Sequence, residues 1–239
     1  MNTGNVQKRV LLIMSSHDEM GISGKQTGTW FEEVASPYYI LTNASYEVVF
    51  ASPNGGEAPI DLLSMKAPFT TENTEKFLND DVAMFAVKNT RVLRNINYDE
   101  FDAVFFPGGY GLLWDLASDS YVIKLIQDFA ASNRPIAMVC HAPAILRDVK
   151  KPNGEPFVKG VKLTGFKNDE DAEIELLYHL LFSLEDELKL RGAEYISKGN
   201  WEPNVVVDGI LMTGQSPASA PPLAEALANL LTENSSVVS

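Results

Sequence analysis

The chain has 239 residues but only one cysteine, Cys140, so an intramolecular disulfide is excluded. A lone thiol fits a reducing compartment, and the cytoplasm is the expected location. Basic residues are also few: 19 Lys+Arg stand against 32 Asp+Glu, a net charge of −13. That balance excludes the basic footprint by which nucleic-acid binders neutralise phosphates. No stretch approaches the roughly 18 consecutive apolar residues of a membrane-spanning helix, so no membrane partner is expected. Residues 1–8 lack a basic segment followed by a long apolar one and do not read as a signal peptide. Internal repeats and low-complexity tracts are missing too. What is present is ordinary: 45% apolar, 10% aromatic and 21% charged residues describe a globular protein. The expected organisation is a short tail over 1–7, one domain over 8–232, and a frayed end over 233–239.

Four short apolar runs, at 9–14, 47–51, 103–106 and 135–139, are continuous rather than alternating. That pattern marks strands covered on both faces, as in a parallel sheet. Segments of helical length and amphipathic pattern lie at 28–43, 119–132, 142–149, 169–182 and 218–231. The alternation predicts an α/β fold, a mostly parallel sheet with helices on both faces. Near the end, short strands are expected at 195–198, 205–208 and 210–213. Asp208-Gly209 between the last two is a strong hairpin signal, so a small antiparallel edge is expected. Two polar connections, 15–27 and 52–66, are long for a compact domain, which marks them as functional or flexible.

The chemistry centres on Ile136-Ala-Met-Val-Cys140-His141-Ala-Pro143. A buried strand ends at Cys140 and a helix is expected to start at once. Ligands of open α/β sheets sit beyond the carboxyl ends of the strands, where this thiol lies. A sharp strand-to-helix turn exposes the side chain at its apex, and a helix N-terminus favours a thiolate. A small buried hydrophobe is the competing reading of the same cysteine. Phe105-Phe106-Pro107-Gly108-Gly109-Tyr110-Gly111 follows another buried strand along the same sheet edge. Its glycines let backbone N–H groups approach a ligand and stabilise an oxyanion. It lacks the lysine and Ser/Thr of a phosphate loop.

In Thr27-Gly28-Thr-Trp30-Phe31-Glu32-Glu33-Val-Ala-Ser-Pro37-Tyr38, two adjacent glutamates open an aromatic and apolar helix. Helical spacing puts Glu33 with Trp30 and Pro37, while Glu32 points about 100° away, so one carboxylate can be solvated and the other buried. His141 is adjacent to the cysteine, but side chains at i and i+1 diverge, so its reach to the thiol is open. His179, in an apolar segment, reads as a packing histidine. His17, with Asp18 and Glu19, has no second ligand pair for a metal.

Taken in order, several motifs resemble the ThiJ/PfpI superfamily, the class I glutamine amidotransferase-like fold. They are Glu33-x-x-x-Pro37-Tyr38, Ala51-Ser-Pro-x-Gly-Gly, Phe106-Pro-Gly-Gly-Tyr110-Gly-x-x-Trp114-Asp115-Leu, Val139-Cys-His-x-Pro-Ala and Leu163-Thr-Gly-Phe-x-Asn168. The likeness spans Lys8 to about Leu231 and is greatest to the heat-shock chaperone and glutathione-independent glyoxalase III branch. It implies a flavodoxin-like three-layer sandwich with Cys140 as nucleophile, Glu33 as the buried glutamate beside the thiol and His141 as the next member of a triad. The acidic partner of His141 falls in the run after Phe166, at Asp171 with Glu170 as the alternative. The resemblance further implies an oxyanion hole from the N–H groups of Gly109 and His141, and a pocket lined by Tyr110, Trp114 and Gly108. It implies a small-molecule aldehyde substrate, a homodimer, no metal and no cofactor.

Physical chemistry adds that thiolate and carboxylate cannot both be charged in a partly buried site, so Glu33 is expected to hold a proton. The expected reaction turns a 2-oxoaldehyde such as methylglyoxal into a 2-hydroxy acid such as lactate, through a hemithioacetal on Cys140. Amidase, peptidase or deglycase chemistry at the same cysteine is the enzymatic rival. A glutaminase needs a late His-x-Glu, whereas His179 is followed by Leu180-Leu181. The non-enzymatic rival is a stress-response holdase with Cys140 as an oxidation sensor and apolar surface around 30–40 and 67–77.

Overall fold

Residues 7–236 are described in the computed structural model; the tail over 1–6 and the end over 237–239 lie outside the described residues. In chain order the elements begin β1 (Arg9–Ile13), α1 (Glu32–Asn43), β2 (Glu47–Ser52), α2 (Glu72–Leu78), α3 (Asp81–Lys88), β3 (Arg91–Val92), β4 (Ala103–Phe106), α4 (Ser120–Ala131) and β5 (Ile136–Val139). They continue β6 (Lys162–Leu163), α5 (Asn168–Glu173), α6 (Leu184–Leu190), β7 (Glu194–Tyr195), β8 (Val205–Asp208), β9 (Leu211–Gly214) and α7 (Ala220–Ser236).

Seven strands form one sheet in the order β3-β2-β1-β4-β5-β9-β8, parallel throughout except for the β8–β9 hairpin. Its central run, β2-β1-β4-β5-β9, is the flavodoxin-like winding, whose switch point lies between β1 and β4. Successive strand residues face opposite sides, yet Val10, Leu11, Leu12 and Ile13 are all fully buried. Both faces are therefore covered, which explains the unbroken apolar runs. α1 and α7 pack together, while α4 packs on β5 and the 142–148 segment. In α4 the side chains of Val122, Leu125, Ile126 and Phe129 recur at helical spacing and are buried. Each such side chain stabilises by roughly 1.5–3 kcal/mol. Asp119 caps this helix by accepting the N–H groups of Tyr121 and Val122. Among the described residues no helix is long and apolar enough to cross a membrane.

Five expectations are corrected. The segment after Cys140 is a 3-10 helix (Ala142–Asp148), not an α-helix; Pro143 removes a donor near its start, and Ala144 N–H bonds the His141 carbonyl at 3.0 Å. The helix expected over 169–182 ends at Glu173, because Glu175 adopts φ 60° and the Leu176 N–H turns back to the Asp171 carbonyl at 2.9 Å. His179, on the 3-10 turn that follows, is exposed rather than packed. The strand expected over 195–198 is β7, paired parallel with β6 in a separate small sheet. The last helix, expected over 218–231, runs instead from Ala220 to Ser236.

Both long connections are structured where they meet the site. Thr29 N–H bonds the Pro59 carbonyl and Asp61 N–H the Thr29 carbonyl, each at 2.9 Å. Thr27 Oγ1 donates to Asp61 Oδ2 at 3.1 Å, and Phe31 N–H donates to Ser64 Oγ at 3.0 Å. The 59–64 segment thereby fixes where α1 starts, and with it the position of Glu33. This stitching buries most of the 30–40 stretch proposed as chaperone surface. The large exposed apolar side chains include Val82 and Phe85 of α3 instead.

Candidate active site

The side chains singled out in the sequence come from the turns that follow β4 and β5, from the first turn of α1 and from α5. Cys140 follows β5 directly and adopts φ 61°, a left-handed conformation that L-residues occupy at a cost of about 1–3 kcal/mol. Two backbone bonds hold it there: Cys140 N–H to the Gly214 carbonyl at 3.0 Å and Phe166 N–H to the Cys140 carbonyl at 2.9 Å. The left-handed turn also brings the neighbouring imidazole back towards the sulfur. Cys140 Sγ and His141 Nδ1 are 3.4 Å apart, although adjacent side chains ordinarily diverge.

His141 is fully buried between the rings of Tyr110 and Phe166, with centroids at 4.4 and 4.6 Å. Its Nε2 lies 3.2 and 3.3 Å from the two carboxylate oxygens of Asp171, on α5. Asp171 Oδ1 also accepts the Tyr110 hydroxyl at 2.8 Å. The shorter aspartate side chain therefore reaches His141. Glu170, the alternative, points elsewhere: it accepts the N–H groups of Lys167 and Trp201 and the amide of Gln215. This geometry assigns the tautomer. Nε2 carries the hydrogen donated to Asp171, so Nδ1 is an acceptor for the thiol proton.

Replacing Asp171 with Asn leaves a single acceptor for two donors, the Tyr110 hydroxyl and the His141 N–H. The expected result is a fall in kcat of about 10²–10⁴-fold with native circular dichroism, because the imidazole loses its orientation and tautomer.

The Glu33 side chain comes from the first turn of α1 and is fully buried. Its Oε2 accepts the Gly108 N–H at 2.6 Å, and the carboxyl and the Cys140 thiol interact directly. Glu33 Oε1 is buried with no hydrogen-bond partner among the described residues. Burial pushes Glu33 up to about 8, against the opposing hydrogen bonds from Gly108 and Cys140. Burial, then the charge of Glu33, pushes the Cys140 thiol up as well, against the Gly109 backbone N–H, which favours the thiolate. The expected helix-terminus activation is thus outweighed, and thiol and carboxyl are both protonated at neutral pH. The spacing allows one of the two glutamates to be solvated, but Glu32 is buried too, with its carboxylate on Ser36 and Thr71.

Gly108 and Gly109 bridge the two halves of the site. A Cβ on Gly108 would stand 2.7 Å from Cys140 Cβ and 2.9 Å from Glu33 Oε2. Gly109 has φ 98°, and a Cβ there would meet the Gly28 carbonyl oxygen at 2.3 Å. Gly109→Ala is therefore expected to cost about 3 kcal/mol or more and to abolish activity; a thermal melt beside a turnover assay checks both.

Above the sulfur is a narrow cavity of about 10 Å³, walled by Trp30, Gly109, Tyr110, Phe166 and Trp201 among others. It is room for one water at most. Trp201 is half-buried, adopts φ 62°, and is tied to α5 through Glu170 and Glu173. Neither Phe166 nor Trp201 was singled out as a pocket residue in the sequence. The Leu-Thr-Gly-Phe motif held the signal for Phe166, whereas nothing local marked Trp201. Trp114, expected in the pocket, is not among the cavity's walls; it stacks on His17 at 5.4 Å, and its ring lies against Gly21. Gly108 lies under the thiol as the donor to Glu33 and is likewise not among the walls.

A cysteine held in a left-handed turn at the carboxyl edge of a flavodoxin-like sheet, flanked by a His–Asp pair and a protonated glutamate, defines a class of cysteine-centred α/β proteins. The chain belongs to the DJ-1/PfpI family, whose pattern matches residues 27–230. It is 31% identical to the glutathione-independent glyoxalase hsp3101 of Schizosaccharomyces pombe, over 91% of this chain and 93% of that protein. Among solved structures it is similar to glyoxalase III of Candida albicans, with a TM-score of 0.82 and 27% identity over 93% of this chain and 96% of that one. It is also similar to the Rapid Encystment Protein 24 KDa of Francisella tularensis, with a TM-score of 0.88 and 36% identity over 93% and 98% of the two chains.

Proposed function

We propose that this protein is a glutathione-independent glyoxalase that converts 2-oxoaldehydes such as methylglyoxal into 2-hydroxy acids such as lactate at Cys140. The observation that carries the reading is the line Cys140–His141–Asp171 with the buried Glu33 carboxyl interacting with the same sulfur. One flank supplies an acceptor for the thiol proton, the other a base of raised pKa. The names of the Schizosaccharomyces and Candida relatives support the same activity.

In the first step Sγ bonds to the aldehyde carbon C1 and the thiol proton passes to His141 Nδ1. The electron pair of the C1 carbonyl moves to O1, which the N–H groups of Gly109 and His141 hold and to which His141 returns the proton. The product is a hemithioacetal. Glu33 carboxylate then removes the hydrogen on C1, the pair forms a C1–C2 double bond, and the C2 carbonyl becomes an enediolate oxygen. The same carboxyl delivers the proton to C2, while the O1 proton moves to O2. C1 has been oxidised and C2 reduced by two electrons, so no outside acceptor enters. Water releases the acid from the resulting thioester and restores the thiol. A base lifted to about 8 is only about a tenth ionised at pH 7 but far stronger than an ordinary carboxylate. Turnover is therefore expected to rise with pH until about 8 and then level, as an initial-rate pH series will show.

A methylglyoxal molecule does not fit a cavity of about 10 Å³. Binding in this scheme needs the roof to move, and Trp201, its half-exposed part, is the element to shift. The lone thiol supports the cytoplasm as the working compartment, and the resemblance to the family supports a homodimer. The test is lactate formation from methylglyoxal without glutathione. Product that requires the protein is expected; none at millimolar substrate overturns the reading.

A further inference from the structure

Four side chains on the cavity wall above Cys140 carry hydrogen-bond donors: Trp30, Tyr110, Cys140 and Trp201. Three are committed. The Tyr110 hydroxyl donates to Asp171 Oδ1 at 2.8 Å, the Trp201 indole N–H donates to Glu173 Oε1 at 2.9 Å, and the thiol lies against His141 Nδ1 at 3.4 Å. The Trp30 indole N–H alone is buried with no acceptor among the described residues, in a side chain only 4% exposed. An unpaired buried donor is rare in folded proteins and calls for a partner. Trp30 is also rigidly placed. Its backbone N–H donates to the Gly108 carbonyl at 3.2 Å, its ring meets Phe69 edge-on at 5.2 Å, and its carbonyl accepts the Glu33 N–H at 3.1 Å. It thus stands one helical turn from Glu33 and against the glycine pair beneath the sulfur.

The geometry points to Trp30 as a catalytic residue of this site: its indole N–H donates to the oxygen on C2 of the substrate, both the ketone oxygen of the 2-oxoaldehyde and the enediolate oxygen it becomes. The inference rests on the glyoxalase reading. A 2-oxoaldehyde carries two carbonyl oxygens, and the Gly109 N–H beside the sulfur serves only the one on C1. The other would meet a wall of Phe166, Ile174 and Pro217, which offers it no side-chain donor. Trp30 supplies that donor, and the bond strengthens when the C1 proton leaves and negative charge reaches O2. A simple aldehyde has no such oxygen and gains nothing from Trp30, which makes this residue the selector for 2-oxoaldehydes.

Trp30→Phe keeps a ring in place and deletes the donor. With methylglyoxal, kcat is expected to fall about ten- to hundredfold while KM changes less, since a bond to a developing anion is the one lost. A second measurement does not depend on turnover: protection of Cys140 from iodoacetamide by methylglyoxal or by propionaldehyde. The wild-type protein should be protected better by methylglyoxal. The variant should lose that preference, with the same propionaldehyde protection and the same unprotected alkylation rate. An unchanged kcat together with an unchanged preference overturns the role of Trp30 while leaving the glyoxalase reading intact. A slower unprotected alkylation and weaker protection by both aldehydes would mean that Trp30 only packs, and also overturns it. If the wild-type protein makes no lactate, the glyoxalase reading fails, and loss of the preference in the variant still upholds the contact to O2.

Discussion

Replacing Cys140 with alanine is expected to lower lactate formation from methylglyoxal by at least about 10⁴-fold, with no change in fold. The size of the effect follows from the chemistry, because every step after the first takes place on a carbon bonded to Sγ. The fold is spared because the substitution removes one atom from a side chain 3% exposed, and alanine meets the same left-handed backbone as cysteine. Labelling by iodoacetamide should vanish altogether, since the chain has no other cysteine. Lactate measured by a coupled dehydrogenase, beside a thermal melt of both proteins, checks the two halves of the prediction. Aggregation suppression gives a further contrast. A holdase acts through exposed apolar surface such as Val82 and Phe85, far in sequence from the thiol, and should be indifferent to the substitution. A variant retaining more than about a hundredth of wild-type turnover would remove Cys140 from the nucleophile's role and leave the holdase as the better reading.

The central strands were legible because burial on both faces removes the alternation that would otherwise blur them, and Asp208-Gly209 named its own hairpin. α2 and α3 were not foreseen. They are short, and each buries just two side chains, so no periodic stripe marks them; their capping residues, Thr71 and Asp80, were the available signal. The placement of Cys140 at a turn beyond a strand followed from pattern alone, and so did the separation of Glu33 from Glu32. The burial of both glutamates did not, because it depends on loops that return from Thr71 and from the 59–64 segment. The reach of His141 to the sulfur was also hidden, since it depends on a single backbone angle at Cys140. Asp171 and Glu170 are neighbours on one short helix, and no spacing rule separates them. One faces the imidazole and the other the Trp201 segment. Trp114 was misplaced for a related reason: Asp115 accepts the N–H of Ser16 and of Leu116, which turns this stretch towards the His17 loop and away from Cys140.

Glu33→Gln is expected to cost activity and raise stability at once, and the two effects share a cause. A glutamine offers Oε1 to the Gly108 N–H and its amide to the sulfur, so it copies the shape of the protonated carboxyl. It cannot carry a proton from C1 to C2, and kcat should drop by about 10²–10⁴-fold. The stability effect has a definite sign. Burial lifts the folded-state Glu33 from 4.5 to about 8, so between these limits the folded protein binds more protons than the unfolded chain. Stability contributed by this site is full below about 4.5 and is lost as pH rises through 8. Cys140, pushed higher still, stays protonated across that window and adds nothing to the slope. Glutamine has no proton to lose, so the variant should match the wild-type protein near pH 5 and exceed it by on the order of 3–4 kcal/mol at pH 8. At about 2–4 °C per kcal/mol for a chain of this size, the gain in Tm is near 10 °C. Removing the Glu33 charge also removes one of the causes that hold the thiol up, so Cys140 should alkylate faster above pH 8 while lactate formation falls. Melting curves and iodoacetamide rates across pH 5–9 decide the point: a gain in Tm that does not grow with pH would show that Glu33 is not the buried, proton-holding partner of the cysteine.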